Sequence, residues 1–359
     1  MRRVAVNIMI TGNQGYVGPV VVEALRRSRP DARLVGVDTG LFAHCLTNVT
    51  QSPEVYLDAQ VVKDVRDLDV ADLAGVDAVV HLAAISNDPI GNRYEDVTVD
   101  INQNAAVATA KAAKAAGASH FVFASSCSVY GTAEDGNARD ETSATGPLTA
   151  YARSKVGAET ALAALADDNF TVTCLRFATA CGMSPRLRLD LVLNDFVAGA
   201  VAGGEITILS DGSPWRPLIH VRDMARAIDW AIDRPASAGG QALIVNAGRD
   251  DWNVQVRDLA AAVADAMPGV AVNLGPAAAP DPRSYRVSFA RFRELAPDHQ
   301  PLVDLSAAVA ELRDGLRAWG FADAEFRESP LMRLNTVASL RDSGRLDDTL
   351  RWAPLTPAQ

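Results

Sequence analysis

Val4–Gly18, VAVNIMITGNQGYVG, is the stretch from which the rest of the chain is read. Val4 to Ile10 is an apolar, β-prone run of the kind that forms a buried strand. It breaks at Thr11-Gly12, glycines recur at Gly12, Gly15 and Gly18, and from Tyr16 to about Arg27 the pattern turns helical. Strand, glycine turn and helix, in that order, are the context that a phosphate-binding fingerprint requires. Gly12 serves the tight turn, Gly15 lets backbone approach a pyrophosphate, and Gly18 lets the helix pack close on the sheet. The helix N-terminus adds N–H donors and a partial positive charge. A second strand, Arg33 to Val37, ends in Asp38, at the spacing where a carboxylate accepts hydrogen bonds from a ribose diol.

Composition narrows the class. The chain has 359 residues, 48% of them hydrophobic, and a net charge of −10, which fits one large or two medium domains. The acidic balance argues against DNA or RNA as a partner. No apolar run reaches spanning length and no signal-peptide h-region is read, so no membrane partner is expected. Cys45, Cys127, Cys174 and Cys181 show no C-x-x-C spacing, and a cytoplasmic location is the expectation. The five histidines are scattered, so no metal site is expected. Lysine occurs only at Lys63, Lys111, Lys114 and Lys155, so a lysine at a motif position is informative here.

Further short apolar runs at Gln60–Lys63, Val76–Leu82, His120–Ala124 and Thr171–Phe177 alternate with helical patterns. That spacing predicts a parallel sheet with right-handed crossovers and ligands beyond the carboxyl ends of its strands. Asp64-Val65 and Leu82-Ala83-Ala84 stand at such ends. Arg93–Ala116 reads as one long helix with Asn102 inside it, and Asn is a poor helix residue. Tyr151-Ala152-Arg153-Ser154-Lys155 opens another helix, which puts Tyr151 and Lys155 on one face. A Tyr with a Lys one turn away is an acid/base device, in which the ammonium lowers the phenol pKa from roughly 10. A Ser hydroxyl from the Ser125-Ser126 strand end can hold the same substrate oxygen. In the second half, a strand Ile206–Leu209, a helix Leu189–Ala202 and a loop Gly275–Pro282 are expected, and Gln241–Asn246 returns to the main sheet.

Together these motifs resemble the extended short-chain dehydrogenase/reductase family, in its nucleotide-sugar epimerase/dehydratase group of the UDP-galactose 4-epimerase kind. T-G-x-x-G-x-x-G stands at Thr11–Gly18, H-L-A-A at His81–Ala84, S-S-x-x-V-Y-G at Ser125–Gly131 and Y-x-x-x-K at Tyr151–Lys155. The resemblance implies an α/β fold: a Rossmann doubly wound parallel sheet over residues 1–177, with 221–250 returning to it. A smaller α/β substrate domain follows from 178–220 and 251–350. It implies NAD as cofactor, held by Gly12, Gln14, Gly15, Tyr16, Val17, Gly18, Asp38, Asp64, Val65, Leu82, Ala83, Ala84, Asn102, Tyr151 and Lys155. Asp38 favours NAD over NADP, because a 2′-phosphate beside a carboxylate is repelled. Ser126, Tyr151 and Lys155 are the implied catalytic residues.

A nucleotide-diphosphate sugar is the implied substrate. Its expected contacts are Ser86, Ser126, Ser128, Thr179, Asn194, Arg216 and Arg283, with the Arg216 fork on the diphosphate. The family pairs the helices 93–116 and 151–166 into a homodimer, and the small residues Ala105, Ala108 and Ala112 permit close approach. The chain departs from the pattern at Cys127 and Ser128, where 4,6-dehydratases carry Asp-Glu, and at Ala178 and Thr179, where many 4-epimerases carry an aromatic and Asn. The expected activity is epimerisation at C4 through a transient 4-keto sugar. A reductase or C4 dehydrogenase of a nucleotide sugar uses the same residues. The intact Ser126, Tyr151 and Lys155 argue against a non-catalytic dinucleotide sensor.

Overall fold

Seven parallel strands form the central sheet of the computed structural model, which describes residues 6–86, 88–132, 136–279 and 283–354. The first five are β1 (Asn7–Thr11), β2 (Arg33–Asp38), β3 (Ala59–Val62), β4 (Ala78–His81) and β5 (His120–Ser126). Thr171–Phe177 and Ala242–Ala247 complete the sheet. Across it the order is Ala242–Ala247, Thr171–Phe177, β5, β4, β1, β2, β3. The strand order reverses at β1, which pairs with β2 on one side and β4 on the other. That switch point opens a crevice at the carboxyl ends of β1 and β4. Positions 4 and 5 of the expected first strand lie outside the described residues.

Side-chain alternation along the strands builds two cores. Ile8 and Ile10 face a cluster with Val21 and Leu25 of helix α1 (Gly18–Ser28), whereas Met9 faces the opposite cluster with Val79, Phe121 and Phe123. Each such buried side chain contributes about 1.5–3 kcal/mol. Two glycines of the first turn are needed sterically. Gly12 has φ +73°, and a Cβ there would meet the Ala83 nitrogen at 2.5 Å. A Cβ on Gly18 would meet the Asn13 carbonyl oxygen at 2.4 Å.

The expected long helix over 93–116 is instead three helical pieces and a π turn: α2 (Asp88–Arg93), α3 (Glu95–Val99), the π turn Asp100–Ala105 and α4 (Ala106–Ala115). The first break falls at Tyr94, whose φ −130° and ψ 57° are not helical, and the π turn holds Asn102, whose Oδ1 accepts from Ile85 N–H at 2.7 Å and whose Nδ2 donates to Ile85 O at 2.9 Å. A polar side chain tied to a neighbouring loop and a widened helical turn occur together here. Helix α5 (Ala150–Ala163) begins with Thr149 as N-cap, its hydroxyl accepting from Ala152 N–H. Of the small residues expected on an outward face, Ala105 and Ala112 are buried in the core and only Ala108 is exposed.

The second lobe carries α6 (Val192–Gly203), α8 (Val256–Ala266) and α10 (Leu305–Ala318), while α7 (Val221–Ala231) packs against α1. Its strands form small sheets: Thr179–Cys181 with Trp215–His220 and Asn253–Gln255, and Glu205–Ser210 with Ala271–Ala279. The expected loop from Gly275 is strand as far as Ala279, because it continues the parallel pairing with Glu205–Ser210 after a register shift; residues 280–282 lie outside the described residues. After α9 (Ala290–Leu295) and α10, the last helix α11 (Arg333–Asp342) does not finish the small lobe as expected. Val337, Leu340, Leu346 and Leu350 instead join the core cluster of Leu41, Val65 and Leu73 on the Rossmann side. Among the described residues no helix is long and apolar enough to cross a membrane, and no group of metal-ligating side chains is found.

Candidate active site

The crevice at the switch point continues into a cavity of about 830 Å³ between the lobes. Its lining takes in Gly12, Gly15, Tyr16, Val17 and Gly18 from the first turn. Asp38, Asp64, Val65, Leu82, Ala83 and Ala84 line it from the ends of β2, β3 and β4. A volume of this order is that of a small-molecule or cofactor site.

A dinucleotide fits these residues. Gly15 lines the cavity, and a Cβ there would meet only the Gly12 carbonyl, so the turn leaves backbone open to a phosphate. Asp38 accepts from Gln14 N–H at 3.0 Å and from Gly40 N–H at 2.8 Å. Burial pushes the Asp38 carboxyl upward, and those two N–H groups oppose the shift. Gln14 itself thus serves the turn through its backbone. Asp64 is gripped by Arg66 at 2.9 and 2.6 Å. Burial raises its carboxyl, but the Arg66 pair outweighs burial and leaves it below the usual carboxylate range.

Asn102, expected at the cofactor, does not line the cavity. It is fully buried, and its amide also donates to Ser154 Oγ at 3.1 Å. Its work is to fix the segment after β4. Asn194, expected at the substrate, is likewise consumed. Its Oδ1 accepts from Gly182 N–H at 3.0 Å, and its Nδ2 donates to Tyr16 Oη at 3.1 Å and Arg188 O at 2.9 Å. It ties the glycine turn to the second lobe.

Ser126, Tyr151 and Lys155 line one stretch of the cavity. Burial pushes the Tyr151 phenol up to about 12, with the Ser126 hydroxyl, its hydrogen-bond partner, pulling the other way. Burial holds the Lys155 ammonium down to about 7, opposed by Glu159. Lys155 Nζ donates to Ala124 O at 2.7 Å and lies 4.5 Å from the centre of the Phe123 ring. Lys155 is expected to lower the Tyr151 pKa; here its ammonium donates to the strand carbonyl, and loss of solvent is the largest influence on the phenol.

Below these residues a buried network fixes the end of β5. Ser125 Oγ donates to Glu159, which pairs with Arg176 at 2.9 and 2.7 Å, and Arg176 donates to Tyr130 Oη at 2.9 Å. Cys127 does not line the cavity; its thiol donates to Arg176 O at 3.1 Å, and burial pushes its pKa far up. Ser128 does line it, and its Oγ has no hydrogen-bond partner among the described residues.

Of the remaining expected substrate residues, Thr179, Arg216 and Arg283 line the cavity. Arg216 Nη1 donates to Trp215 O and to Arg283 O, and Arg283 pairs with Asp88. Ser86 Oγ accepts from Arg188 Nη1 at 2.8 Å.

Several lining residues had no sequence motif to announce them. Arg188 and Asp190 form a two-pronged pair, both bonds at 2.9 Å, and Arg327 pairs with Asp195 in the same manner at 2.9 and 2.6 Å. Arg333, Tyr285 and Leu350 complete the wall. The alternation Arg186-Leu187-Arg188-Leu189 was the available signal for the first pair. All four side chains are buried.

Comparison with known proteins agrees with this geometry. A family model described as the NAD dependent epimerase/dehydratase family matches residues 8–248. A dTDP-glucose 4,6-dehydratase of Streptomyces antibioticus is 28% identical over 268 residues, 72% of this chain and 77% of that protein. A probable UDP-glucuronate 4-epimerase of Rhizobium meliloti (strain 1021) is 26% identical over 238 residues, 61% of this chain and 66% of that one. A trifunctional dehydratase, epimerase and reductase of Arabidopsis thaliana is matched over only 35% of its length. Among solved structures, a UDP-glucuronic acid 4-epimerase from Bacillus cereus, in complex with UDP-glucuronic acid and NAD, has a TM-score of 0.71 at 20% identity. The alignment covers 87% of this chain and 99% of that one, and the likeness is one of fold. The family match runs from β1 through the last strand of the sheet, and the chain belongs to the NAD dependent epimerase/dehydratase family, enzymes whose cofactor is NAD.

Proposed function

We propose that this enzyme is a nucleotide-sugar epimerase acting at C4 through a transient 4-keto sugar. The observation that carries the reading is the acid/base inventory beside Tyr151. The phenol and its hydrogen-bonded partner Ser126 face the cavity, while Cys127 is turned into the core. The nearby carboxylates Asp88 and Asp190 are each paired with an arginine. One proton-transferring group suffices for oxidation and re-reduction at a single carbon. Elimination of water needs a second acid and base, and no carboxylate stands at Cys127 or Ser128 to supply them.

Bound NAD⁺ supplies the hydride acceptor and later the hydride donor. Tyr151, held by Ser126, takes the proton of the sugar hydroxyl and returns it after the keto sugar has turned. Ser126 and Ser128 fix the reacting oxygen. Lys155 anchors the nicotinamide ribose from the buried side, and Arg216 and Arg283 hold the diphosphate while the sugar is free to rotate. A homodimer belongs to the same proposal. The exposed positions Asn104, Ala108, Lys111 and Ala115 offer small and polar side chains to a second copy, and a monomer in sedimentation at micromolar concentration contradicts it.

The test is to incubate the enzyme with UDP-glucose, UDP-glucuronate and dTDP-glucose in the presence of NAD⁺. A product of unchanged mass, with no net NADH, supports the epimerase. Loss of water identifies a dehydratase, and stoichiometric NADH identifies a dehydrogenase.

A further inference from the structure

Tyr151 marks the end of the cavity where a sugar would react, and the wall there is built from charges that cancel. Ser86, Asp88, Thr149, Arg188, Asp190 and Arg283 all line it. Arg188 is buried and donates Nε and Nη2 to the two carboxylate oxygens of Asp190, both at 2.9 Å, and Nη1 to Ser86 Oγ at 2.8 Å. Every nitrogen of that guanidinium therefore has a partner within the protein. Asp88 accepts from Thr149 Oγ1 at 2.7 Å and pairs with Arg283. Thr149 caps the helix whose second residue is Tyr151, and a Cβ on Gly91 of α2 would meet Tyr151 Cβ at 3.4 Å. After burial and the Ser126 bond, the next influences on the Tyr151 phenol are Asp88, which raises its pKa, and Arg188, which lowers it.

Two arginines and two aspartates leave this wall with no net charge. The other cations of the lining are engaged elsewhere. Lys155 is 3% exposed and donates to Ala124 O, Arg333 is 2% exposed and donates to the carbonyls of Arg186 and Leu187, and Arg327 pairs with Asp195. Arg216 is the guanidinium proposed above for the diphosphate. A carboxylate carried on the sugar would give up its water here and meet the like charges of Asp88 and Asp190, with both nearby guanidiniums already paired. Burial of an ion on those terms is costly. A hydroxymethyl or hydroxyl group meets no such penalty, because carboxylate oxygens accept from it and the Ser and Thr hydroxyls both donate and accept.

We infer that the paired charges Arg188–Asp190 and Arg283–Asp88 make the sugar end of the cavity selective for an uncharged hexose and exclude a uronic acid. Asp190 and Asp88 are then specificity residues: each holds an arginine that would otherwise receive a sugar carboxylate two-pronged. Like-charge rejection acts on a uronate in either orientation of its ring, so a sugar that turns in the pocket is screened throughout. The inference rests on the nucleotide-sugar reading of the site and is independent of whether epimerisation, reduction or dehydrogenation follows.

Calorimetric titration of UDP, UDP-glucose and UDP-glucuronate into the NADH-saturated enzyme tests it, since no hydride can then leave the sugar; the dTDP series replaces UDP if dTDP binds the more tightly. UDP-glucose is expected to bind at least as tightly as UDP, and UDP-glucuronate about tenfold more weakly than UDP-glucose or worse. Asp190→Asn or Asp88→Asn, which free Arg188 and Arg283, are expected to narrow that ratio about fivefold or more. UDP-glucuronate bound as tightly as UDP-glucose by the wild type overturns the inference. A wild-type preference that both variants leave unchanged also overturns it and assigns the discrimination to shape. If the melting curve shows that one variant does not fold, the other decides on the same ratio. If neither UDP nor dTDP binds the wild-type protein, the nucleotide-sugar reading fails and the inference falls with it, an outcome that the free nucleotides report separately from the sugar comparison.

Discussion

Lys155 Nζ stands 5.7 Å from the centre of the Tyr151 ring, on the same helix face, yet its hydrogen bond goes to the carbonyl of Ala124. The lysine is a buried anchor, and the phenol is tuned chiefly by its own loss of solvent. With the Tyr151 pKa pushed up to about 12, the phenolate fraction at neutral pH is small and grows about tenfold per pH unit. A step that needs phenolate should therefore accelerate from pH 7 to 9, measured as kcat at saturating substrate. Tyr151→Phe should lower kcat by about 10²–10⁴-fold and flatten that profile, because the ring packing survives without the acid/base group. NAD affinity should stay near wild type. A steep profile retained in the Phe variant would assign the proton transfer to another group.

Asp38 ends β2 with its carboxylate accepting from the backbone of Gln14 and Gly40. A 2′-phosphate at that position meets a like charge. Asp38→Ala should weaken NAD⁺ binding about tenfold and narrow the preference over NADP⁺. Equilibrium titration with both dinucleotides gives the ratio. Tighter binding of NADP⁺ by the wild-type protein would show that this strand end does not read the ribose.

His81 gives a pH-dependent stability with a definite sign. Burial holds its imidazole down to about 3, with Lys155 adding to the shift. Nδ1 lies 3.1 Å from Thr11 Oγ1, and the ring stacks against Phe121 and Phe123. The folded pKa is below the unfolded value of about 6.5, so the unfolded chain binds more protons between those values. Its contribution is fully present above pH 6.5 and is lost as pH falls toward 3, by up to several kcal/mol. His81→Phe should lose about 1 kcal/mol at pH 7 with the Thr11 bond, and should then fall less steeply than wild type between pH 6.5 and 4.5 in urea unfolding. Parallel curves would remove His81 from the acid response.

The sheet, the glycine turn and the Tyr151–Lys155 face were legible because their signals are local. Ile8, Met9 and Ile10 alternate, Gly12 to Gly18 keep a fixed spacing, and positions 151 and 155 are one helical turn apart. Asn102 was flagged by its poor helix propensity, but which partner it served was not readable, since Ile85 lies in a loop seventeen residues away. The Arg327–Asp195 pair joins positions 132 residues apart, and no periodicity records such a contact. The C-terminal helix, RLNTVASLRD, has no marked apolar face in its sequence to say which lobe it packs on. Its return to the Rossmann side depends on Leu346 and Leu350 finding Leu41 and Val65, a tertiary match that a window of sequence does not contain.

That return forms a strap beside the end of β2, next to Asp38 and Thr39. Trp352 Nε1 donates to Thr39 O at 2.6 Å, Arg351 pairs with Asp67 at 2.6 Å, and Arg66 donates to Thr349 O at 2.8 Å. Leu350 lines the cavity between these ties. Trp352→Ala should speed NAD release several-fold, followed by displacement with excess ADP-ribose in stopped flow. The strap touches neither Tyr151 nor Ser126 in these contacts, so the chemical step in single turnover should be unaffected. An unchanged release rate would mean that the strap stays closed without the indole.

Arg216 separates a ligand-binding role from a structural one. Its Nη1 holds the carbonyls of Trp215 and Arg283, so the side chain braces the strand that delivers it to the cavity. It also lines the cavity with Arg283, the pair proposed above to hold the diphosphate. If the diphosphate is the pivot about which the keto sugar turns, Arg216 binds ground state and transition state alike. Arg216→Ala should then raise KM for the nucleotide sugar tenfold or more, at about 1.4 kcal/mol per tenfold, with kcat comparatively unchanged. Arg216→Lys should recover part of the loss, since a point charge replaces a fork. A bracing role alone predicts a different split: the melting temperature falls while the affinity for UDP, titrated with the wild-type protein as reference, stays where it was. Failure of UDP, dTDP and GDP to bind the wild-type protein at millimolar concentration would count against a nucleotide-diphosphate substrate altogether, since the two arginines would then be facing a cavity that holds no such group.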